Sequence, residues 1–139
     1  MNDRSMAVQA QPLIAVRDVR ASSRWYAELL GADPLPEHPH RDVYSRISHA
    51  GQLLLQLHAW DAERHPNLVD EHAARRGHGV LLWFQLADFG AAVQRARRLG
   101  ADVIEEPHLN PAPQHLEIWL RDPDGYVVVL ASPDGEGGA

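Results

Sequence analysis

The residues of this chain that could carry chemistry are histidines and carboxylates. The sequence has no cysteine, so it offers no thiol nucleophile, no cysteine-based zinc site and no disulfide. It has nine histidines, and 19 aspartates and glutamates against 13 lysines and arginines. Imidazole nitrogens and carboxylates can exchange protons or bind metal ions. A catalytic or metal site in this chain would therefore depend on these groups.

Two short runs place such residues at the spacing of a β-strand. Gln56 and His58 stand two residues apart in QLLLQLH, and His115 and Glu117 stand two residues apart in HLEIWL. Side chains two apart on a strand point to the same face of a sheet. Gln56, His58 and Glu117 could line a pocket. Gln56 and His58 could equally be a hydrogen-bonded pair on a sheet surface, and Glu117 an exposed residue paired with an arginine.

Several other candidate residues can also be interpreted in two ways. His78 lies in RGHGV, where a histidine between glycines could line a pocket or be a solvated loop residue. Trp83 and Trp119 are more typical of a core than of a surface that stacks a ligand. Five further histidines stand in proline-rich or charged stretches and are expected on the surface: His38, His40, His65, His72 and His108.

Composition excludes several classes of protein. A chain of 139 residues with 45% apolar residues is long enough for one domain with a core. The net charge is −6 and the cations are scattered, so we expect no nucleic-acid partner. No apolar run approaches the roughly 20 residues that span a bilayer, and the first residues lack the apolar core of a secretory signal. We therefore expect no membrane partner and a cytoplasmic location.

The elements that must position these residues follow from a repeated phrase. LGAD occurs at 30–33 and again at 99–102. Each copy ends a segment of helical periodicity that begins after an aspartate, Asp18 or Asp88, and follows a short apolar run. Gly31 and Gly100 are predicted to end these helices with a positive φ, since glycine has no Cβ to strain in that conformation. The repeat therefore predicts two β-α-β units.

Each unit is followed by a predicted hairpin. In the first half, DVYSRIS and QLLLQLH flank a short turn containing Gly51. In the second half, HLEIWL and YVVVLA flank a turn at residues 122–125, and this register pairs Trp119 with Val129. Each half thus reads β-α-β-β-β. The fold class is predicted as α+β, with two such modules forming curved mixed sheets around a shared cavity.

The same patterns set the predicted boundaries of the domain. We expect one domain over residues 11–131, with polar tails outside the fold. The predicted segments are tail 1–10, module one 11–58, linker 59–77, module two 78–131 and tail 132–139.

These sequence features resemble a known superfamily. VRDVRASSRWYAELLGADPL, the doubled β-α-β-β-β pattern and RDPDGYVVVLA are similar to the vicinal oxygen chelate superfamily, over roughly residues 11–131. That superfamily includes glyoxalase I, bleomycin-resistance proteins and extradiol dioxygenases. Because it combines several reactions and non-catalytic binders on one scaffold, the resemblance is specific for fold and not for function.

The resemblance implies positions for a metal site. Metal-using members similar to glyoxalase I carry ligands at the first strand and the last strand of each module, and those positions correspond to Gln11, Gln56, His78 and Val129. The enzymes have a glutamate where this chain has Val129, which offers no lone pair. The other three residues would leave a divalent ion with neutral ligands only. Glu117, on the neighbouring strand, is the conceivable replacement.

Two functions from different classes are therefore expected. The first is a small-molecule binder without metal or cofactor, similar to bleomycin-resistance proteins, in which Trp119 stacks a partly aromatic ligand. Its pocket would be lined by Gln11, Gln56, His58, His78, Glu117, Trp119 and Val129. The alternative is a lyase, isomerase or dioxygenase acting on vicinal oxygens, with nickel, zinc, manganese or iron held by Gln11, Gln56, His78 and Glu117. The missing glutamate at Val129 favours the binder, and open edge strands favour a homodimer.

Overall fold

The chain forms two sheets and two helices in the computed structural model, which describes residues 9–35, 42–60, 68, 77–111 and 114–135. No helix in these ranges is long and apolar enough to cross a membrane. The elements in chain order are β1 (Leu13–Val16), α1 (Val19–Leu30), β2 (Tyr44–His49), β3 (Gln52–Ala59), β4 (Leu81–Gln85), α2 (Phe89–Leu99), β5 (Asp102–Asn110), β6 (His115–Arg121) and β7 (Val127–Ala131).

Both sheets are mixed, which confirms the predicted α+β class. The three-stranded sheet has the order β1-β3-β2, with β1 parallel to β3, and the four-stranded sheet has the order β4-β7-β6-β5, with β4 parallel to β7. Module two has the complete predicted order. In module one, residues 32–35 after α1 form no strand, and the remainder of the strand predicted there lies outside the described residues.

Local sequence explains where the helices begin and end. The carboxylates of Asp18 and Asp88 each accept a hydrogen bond from the backbone N–H three residues later, at 3.0 Å. Gly31 and Gly100 follow the helices with φ of 59° and 64°, and their N–H groups bond back to carbonyls of the last turn. The predicted helix ends are therefore confirmed.

The core lies between the helices and one face of each sheet. Leu82, Ile118, Leu120, Val128 and Leu130 alternate inwards from the four-stranded sheet and pack with Phe89, Ala92 and Ala96 of α2. The opposite faces of the sheets, which carry the candidate polar residues, are therefore turned away from the helices. We call these the outer faces.

The turn at residues 122–125 connects the two modules. Asp124 Oδ1 accepts hydrogen bonds from the backbone N (2.9 Å) and the Nε (3.1 Å) of Arg17. The hydroxyl of Tyr26 donates to Asp122 Oδ2 at 2.6 Å. Burial raises the pKa of Asp122 by more than the hydrogen bond from Tyr26 lowers it. The sequence predicted this segment only as a turn, and the structure shows that both of its aspartates are buried against module one.

The described part of the predicted C-terminal tail packs onto the fold. Ser132 is buried, its N donates to Leu116 O at 2.9 Å, and its Oγ accepts from Leu116 N at 2.8 Å. Asp134 lies 3.3 Å from a ring nitrogen of His115. The chain leaving β7 continues beside β6, so hydrogen bonding between them extends past the hairpin. Ser132 and Asp134, in the predicted tail, therefore contact β6.

Candidate functional site

The outer face of the four-stranded sheet collects the polar and aromatic residues of module two. Strand register places residues from the four strands in rows on this face. The first row is Trp83, Val129, Trp119 and Glu105, and the next is Gln85, Ala131, Glu117 and His108. The predicted pairing of Trp119 with Val129 is confirmed.

Glu117 is the centre of this face. Its side chain is only 3% exposed. Its carboxylate accepts hydrogen bonds from Trp119 Nε1 (2.8 Å), Asn110 Nδ2 (2.9 Å) and His115 Nε2 (2.5 Å). Burial raises the pKa of Glu117, but the hydrogen bonds from Trp119, Asn110 and His115 together outweigh it, so the pKa lies below its ordinary value. The buried carboxylate is thus ionised and holds the Trp119 indole in place.

His115 connects this carboxylate to the C-terminal segment. Its Nε2 faces Glu117, and its Nδ1 lies 3.3 Å from Asp134 Oδ1. The ring of Trp83 meets the His115 ring edge to face, with centroids 5.6 Å apart. His115 therefore orients both Glu117 and Trp83.

A bulge in β5 brings two further residues to the same face. Glu105 pairs with Trp119, and His108 pairs with Glu117, so three steps along β5 oppose two along β6. Pro107 lies within this irregular stretch and has no N–H for the ladder. Glu105 and His108, which strict alternation would put on opposite faces, therefore both face outwards.

His108 belongs to this cluster, whereas the sequence predicted it only as a surface residue. Its side chain is 40% exposed, and its Nε2 lies 3.5 Å from Glu105 Oε1 and 3.6 Å from Glu117 Oε1. Sequence reasoning missed this position because the charged, proline-containing stretch around His108 was interpreted as surface. The proline in EEPHL is the feature that could have indicated a bulge.

Two tryptophans border the centre of the face. Trp83 is 45% exposed, Trp119 is half-buried, and Val129 between them is fully buried. Strands lie about 4.8 Å apart, so two strand spacings separate the tryptophan backbones by about 10 Å. Neither tryptophan belongs to the core. Both present ring surface on the side of the sheet that is turned away from the helices.

The candidate site residues of module one form hydrogen bonds within module one. Gln56 Oε1 accepts from the Tyr44 hydroxyl at 2.5 Å, and Gln56 Nε2 donates to the backbone carbonyl of Gln11 at 2.9 Å. The Gln11 residue is exposed. His58 Nδ1 donates to the next carbonyl along the chain at 2.6 Å. Both polar atoms of the Gln56 amide therefore have partners other than His58, which is its predicted partner in the alternative to a pocket.

His78 lies away from the cluster around Glu117. It is exposed in the turn before β4 and lines a groove of about 950 Å³ beside the turn at residues 122–125. Glu117 is level with Gln85, at the other end of β4. The strand from Leu81 to Gln85 alone covers about 13 Å. The structure therefore does not bring His78 and Glu117 together.

A second groove runs between the modules. It has a volume of about 890 Å³ and lies between β3 and β4, where Leu53, Leu54, Leu81 and Trp83 supply much of its apolar wall. None of the seven predicted site residues lines it. Leu81, Trp83 and Gln85 of β4 are shared between this groove and the outer face of the four-stranded sheet.

The residues proposed as metal ligands do not fit a divalent ion. Both polar atoms of the Gln56 amide are hydrogen-bonded within the chain, and the carboxylate of Glu117 already accepts three hydrogen bonds. Val129 has no donor atom, and His78 lies at the far end of the sheet. Across the described ranges, no group of three or more histidine, aspartate and glutamate side chains is arranged to hold a metal ion.

The fold consists of two consecutive modules, each with a helix after its first strand and a hairpin whose last strand pairs in parallel with the first. This arrangement indicates the class of protein. The model of the Glyoxalase/Bleomycin resistance protein/Dioxygenase superfamily matches residues 8–130, and the chain belongs to this superfamily. The predicted family is therefore confirmed.

Solved structures share the same architecture. A glyoxalase/bleomycin resistance protein/dioxygenase family enzyme from Burkholderia phytofirmans is 20% identical over 88% of this chain and 95% of that chain, with a TM-score of 0.68. TioX from Micromonospora is 14% identical over 91% and 96%, with a TM-score of 0.65. A bleomycin resistance determinant encoded on the transposon Tn5 is 17% identical over 90% and 97%, with a TM-score of 0.61. At these identities the similarity shows the fold alone.

Proposed function

We propose that this protein is a small-molecule binder that takes a partly aromatic ligand on the outer face of its four-stranded sheet without a metal ion. The observation that carries the proposal is the pair of tryptophans beside Val129, one of them fixed by the buried carboxylate of Glu117. An indole held at its N–H cannot rotate away, so little conformational entropy is lost when a ligand stacks on it.

The side chains around the tryptophans also suit the binding of a small molecule. A binding site combines apolar and aromatic walls with a few polar groups that orient the ligand. Trp83 and Trp119 supply the aromatic walls, and Gln85 and His108 are accessible polar groups in the adjacent row. An aromatic contact of this kind contributes about 0.5–1.5 kcal/mol beyond the area that it buries.

The donor atoms on the face argue against the metal-dependent alternative. A divalent ion needs carboxylates or imidazoles that are free to turn towards it. Glu117 is the one acid among the predicted ligands, and it is committed to Trp119, Asn110 and His115. The predicted ligands therefore offer a divalent ion no free carboxylate.

Titration with phenethyl alcohol tests the aromatic site. We expect saturable shifts of the Trp83 and Trp119 indole N–H signals in NMR spectra, and a several-fold loss of affinity in Trp83→Ala and Trp119→Ala. Trp25→Phe is the matched control, because Trp25 lies on α1 against Tyr26. Shifts confined to Trp25, or an affinity that is unchanged in both alanine variants, would contradict the proposal.

Metal analysis separates the proposal from the enzyme alternative. Protein purified without added metal or chelator should contain no stoichiometric nickel, zinc, manganese or iron. If such a metal is present, and Glu117→Gln or His78→Ala releases it, the chain is a metalloprotein and the binder proposal is wrong.

We further propose that the protein forms a homodimer and is located in the cytoplasm. β1 and β4 are edge strands of their sheets in the described structure and expose Leu13 (40%), Leu81 (43%) and Trp83 (45%). Apolar side chains on a strand edge favour association with another chain. We expect sedimentation to give twice the mass of the chain and Leu81→Lys to shift the protein towards monomer. A monomeric native protein would contradict this part of the proposal.

A further inference from the structure

We infer that the groove between the modules binds an apolar monocarboxylic acid, whose carboxylate is held by Arg95. This site goes beyond the proposed function, because it takes another class of ligand and requires neither Trp119 nor Glu117. The inference is carried by the position of one arginine in a groove whose walls are predominantly apolar.

The guanidinium of Arg95 lies against the C-terminal end of α1. Its Nε donates to the carbonyl of Leu29 at 3.0 Å, and its Cζ would lie 3.2 Å from a Cβ on Gly31. The absence of a side chain at Gly31 therefore gives the guanidinium room to lie close to the backbone. A side chain that is already fixed loses little conformational entropy when it binds a ligand.

The two terminal nitrogens of Arg95 are available to a ligand. Among the described residues, neither nitrogen has a hydrogen-bond or ion-pair partner, although the side chain is half-buried. A half-buried charge without a counter-ion is unfavourable, and the C-terminal end of α1 supplies only partial negative charge. Nη1 and Nη2 form a planar fork that matches the two oxygens of a carboxylate. The arginine therefore indicates an anionic ligand group.

The acid that lines the groove has another role. Asp88 is the only aspartate or glutamate among the described lining residues, and its carboxylate accepts the hydrogen bond from Ala91 N at the start of α2. Seven residues separate Asp88 from Arg95, which corresponds to about 10 Å along the helix. The guanidinium is therefore the dominant charge at its own end of the groove.

The walls of the groove explain the apolar part of the ligand. Gly31, beside the guanidinium, accepts a hydrogen bond from His49 Nδ1 at 3.2 Å, and His49 pairs with Gln52, the first residue of β3. A volume of about 890 Å³ lies within the range of pockets that enclose small ligands. An aliphatic chain attached to the carboxylate would leave water and lie against the apolar wall. That wall includes Leu53 and Leu54 of β3 and Leu81 and Trp83 of β4.

The test compares octanoate with 1-octanol, which has the same chain length and no charge, by calorimetric titration. We expect octanoate to bind the unmodified protein about tenfold more tightly than the alcohol, as charge-assisted hydrogen bonds allow. Arg95→Gln should reduce this preference to about twofold or less, with the affinity for the alcohol unchanged. Arg95→Lys keeps the charge but not the planar fork, so it should show an intermediate preference.

Arg98→Gln is the matched control. It removes the same charge from an exposed position on α2 that does not line the groove, and it should leave the preference for octanoate intact. NMR spectra of the unmodified protein locate the ligand without any substitution. Octanoate should shift the indole N–H signal of Trp83, which lines the groove, and leave that of Trp119 in place.

Three results would overturn the inference. Equal binding of octanoate and octanol would show that the guanidinium holds no carboxylate. An equal loss of preference in Arg95→Gln and Arg98→Gln would show that only the general field of the helix acts. If neither probe binds, the groove is closed by a second copy or by another segment of the chain. Each of these results leaves the aromatic site standing, because phenethyl alcohol tests that site separately.

Discussion

At the scale of single residues, Glu117 organises the outer face. Period-two alternation correctly predicted that His115 and Glu117 share a face, and the two side chains are hydrogen-bonded. The sequence could not predict Asn110 as a further partner, because that contact depends on the register between β5 and β6. A carboxylate that is buried and fully hydrogen-bonded fixes other side chains more readily than it serves as a base.

The role of Glu117 can be tested by substituting it and measuring how the free energy of unfolding depends on pH. The pKa of Glu117 is lowered in the folded protein, so its stabilising effect is present above the ordinary value of 4.5 and is lost as pH falls through the folded value. Glu117→Gln should lower the free energy of unfolding by roughly 2 kcal/mol at pH 7. Urea titrations should show the difference from the unmodified protein shrinking as pH falls below the ordinary carboxyl value of 4.5.

Glu106 provides the comparison. Its carboxylate is exposed and pairs with Arg97 on the surface, and the stability of Glu106→Gln should stay close to that of the unmodified protein. A difference between Glu117→Gln and the unmodified protein that is constant across the acidic range would mean that folding does not lower the pKa of Glu117.

At the scale of elements, the parts that sequence predicted well are those set by local chemistry. The helices end at the glycines of LGAD, and the β2–β3 hairpin turns at Ala50 and Gly51, both with positive φ. The bulge in β5 was missed because its register depends on the partner strand. The bulge nevertheless places Glu105 and His108 on the same face of the sheet. Two residues of the candidate site therefore depend on an irregular strand.

The two helix-ending glycines differ in their surroundings, which gives a matched pair of substitutions. A Cβ on Gly100 would meet nothing within 4 Å, so Gly100→Ala should cost on the order of 1 kcal/mol from the left-handed conformation alone. A Cβ on Gly31 would lie 3.2 Å from Cζ of Arg95, whose Nε donates to the carbonyl of Leu29. Gly31→Ala should therefore be the more destabilising of the two in thermal unfolding. Equal costs would show that Arg95 moves away freely.

At the scale of the whole molecule, the arrangement of the two modules is the feature that sequence could not supply. The repeat predicted two similar units, and the family pattern included DPDG, but neither indicates which residues of one unit meet the other. In the structure, the buried Asp122 accepts a hydrogen bond from Tyr26, and the buried Asp124 accepts hydrogen bonds from Arg17. These contacts join module two to module one. A buried carboxylate without partners would be costly, so the turn is stable only when module one is in place.

Asp124→Asn tests whether this turn holds the modules together. The substitution keeps the size of the side chain but removes the charge that Arg17 faces, and it should lower the free energy of unfolding by about 2 kcal/mol. Asp42→Asn is the control, because Asp42 pairs with Arg20 on the surface and is 74% exposed, where an ion pair contributes little.

If the turn couples the modules, urea unfolding of Asp124→Asn should also broaden, with a lower m-value, as the two units begin to unfold separately. A shift in midpoint with an unchanged m-value would assign the turn to local stability alone, and equal effects of the two substitutions would remove Asp124 from the contact between modules.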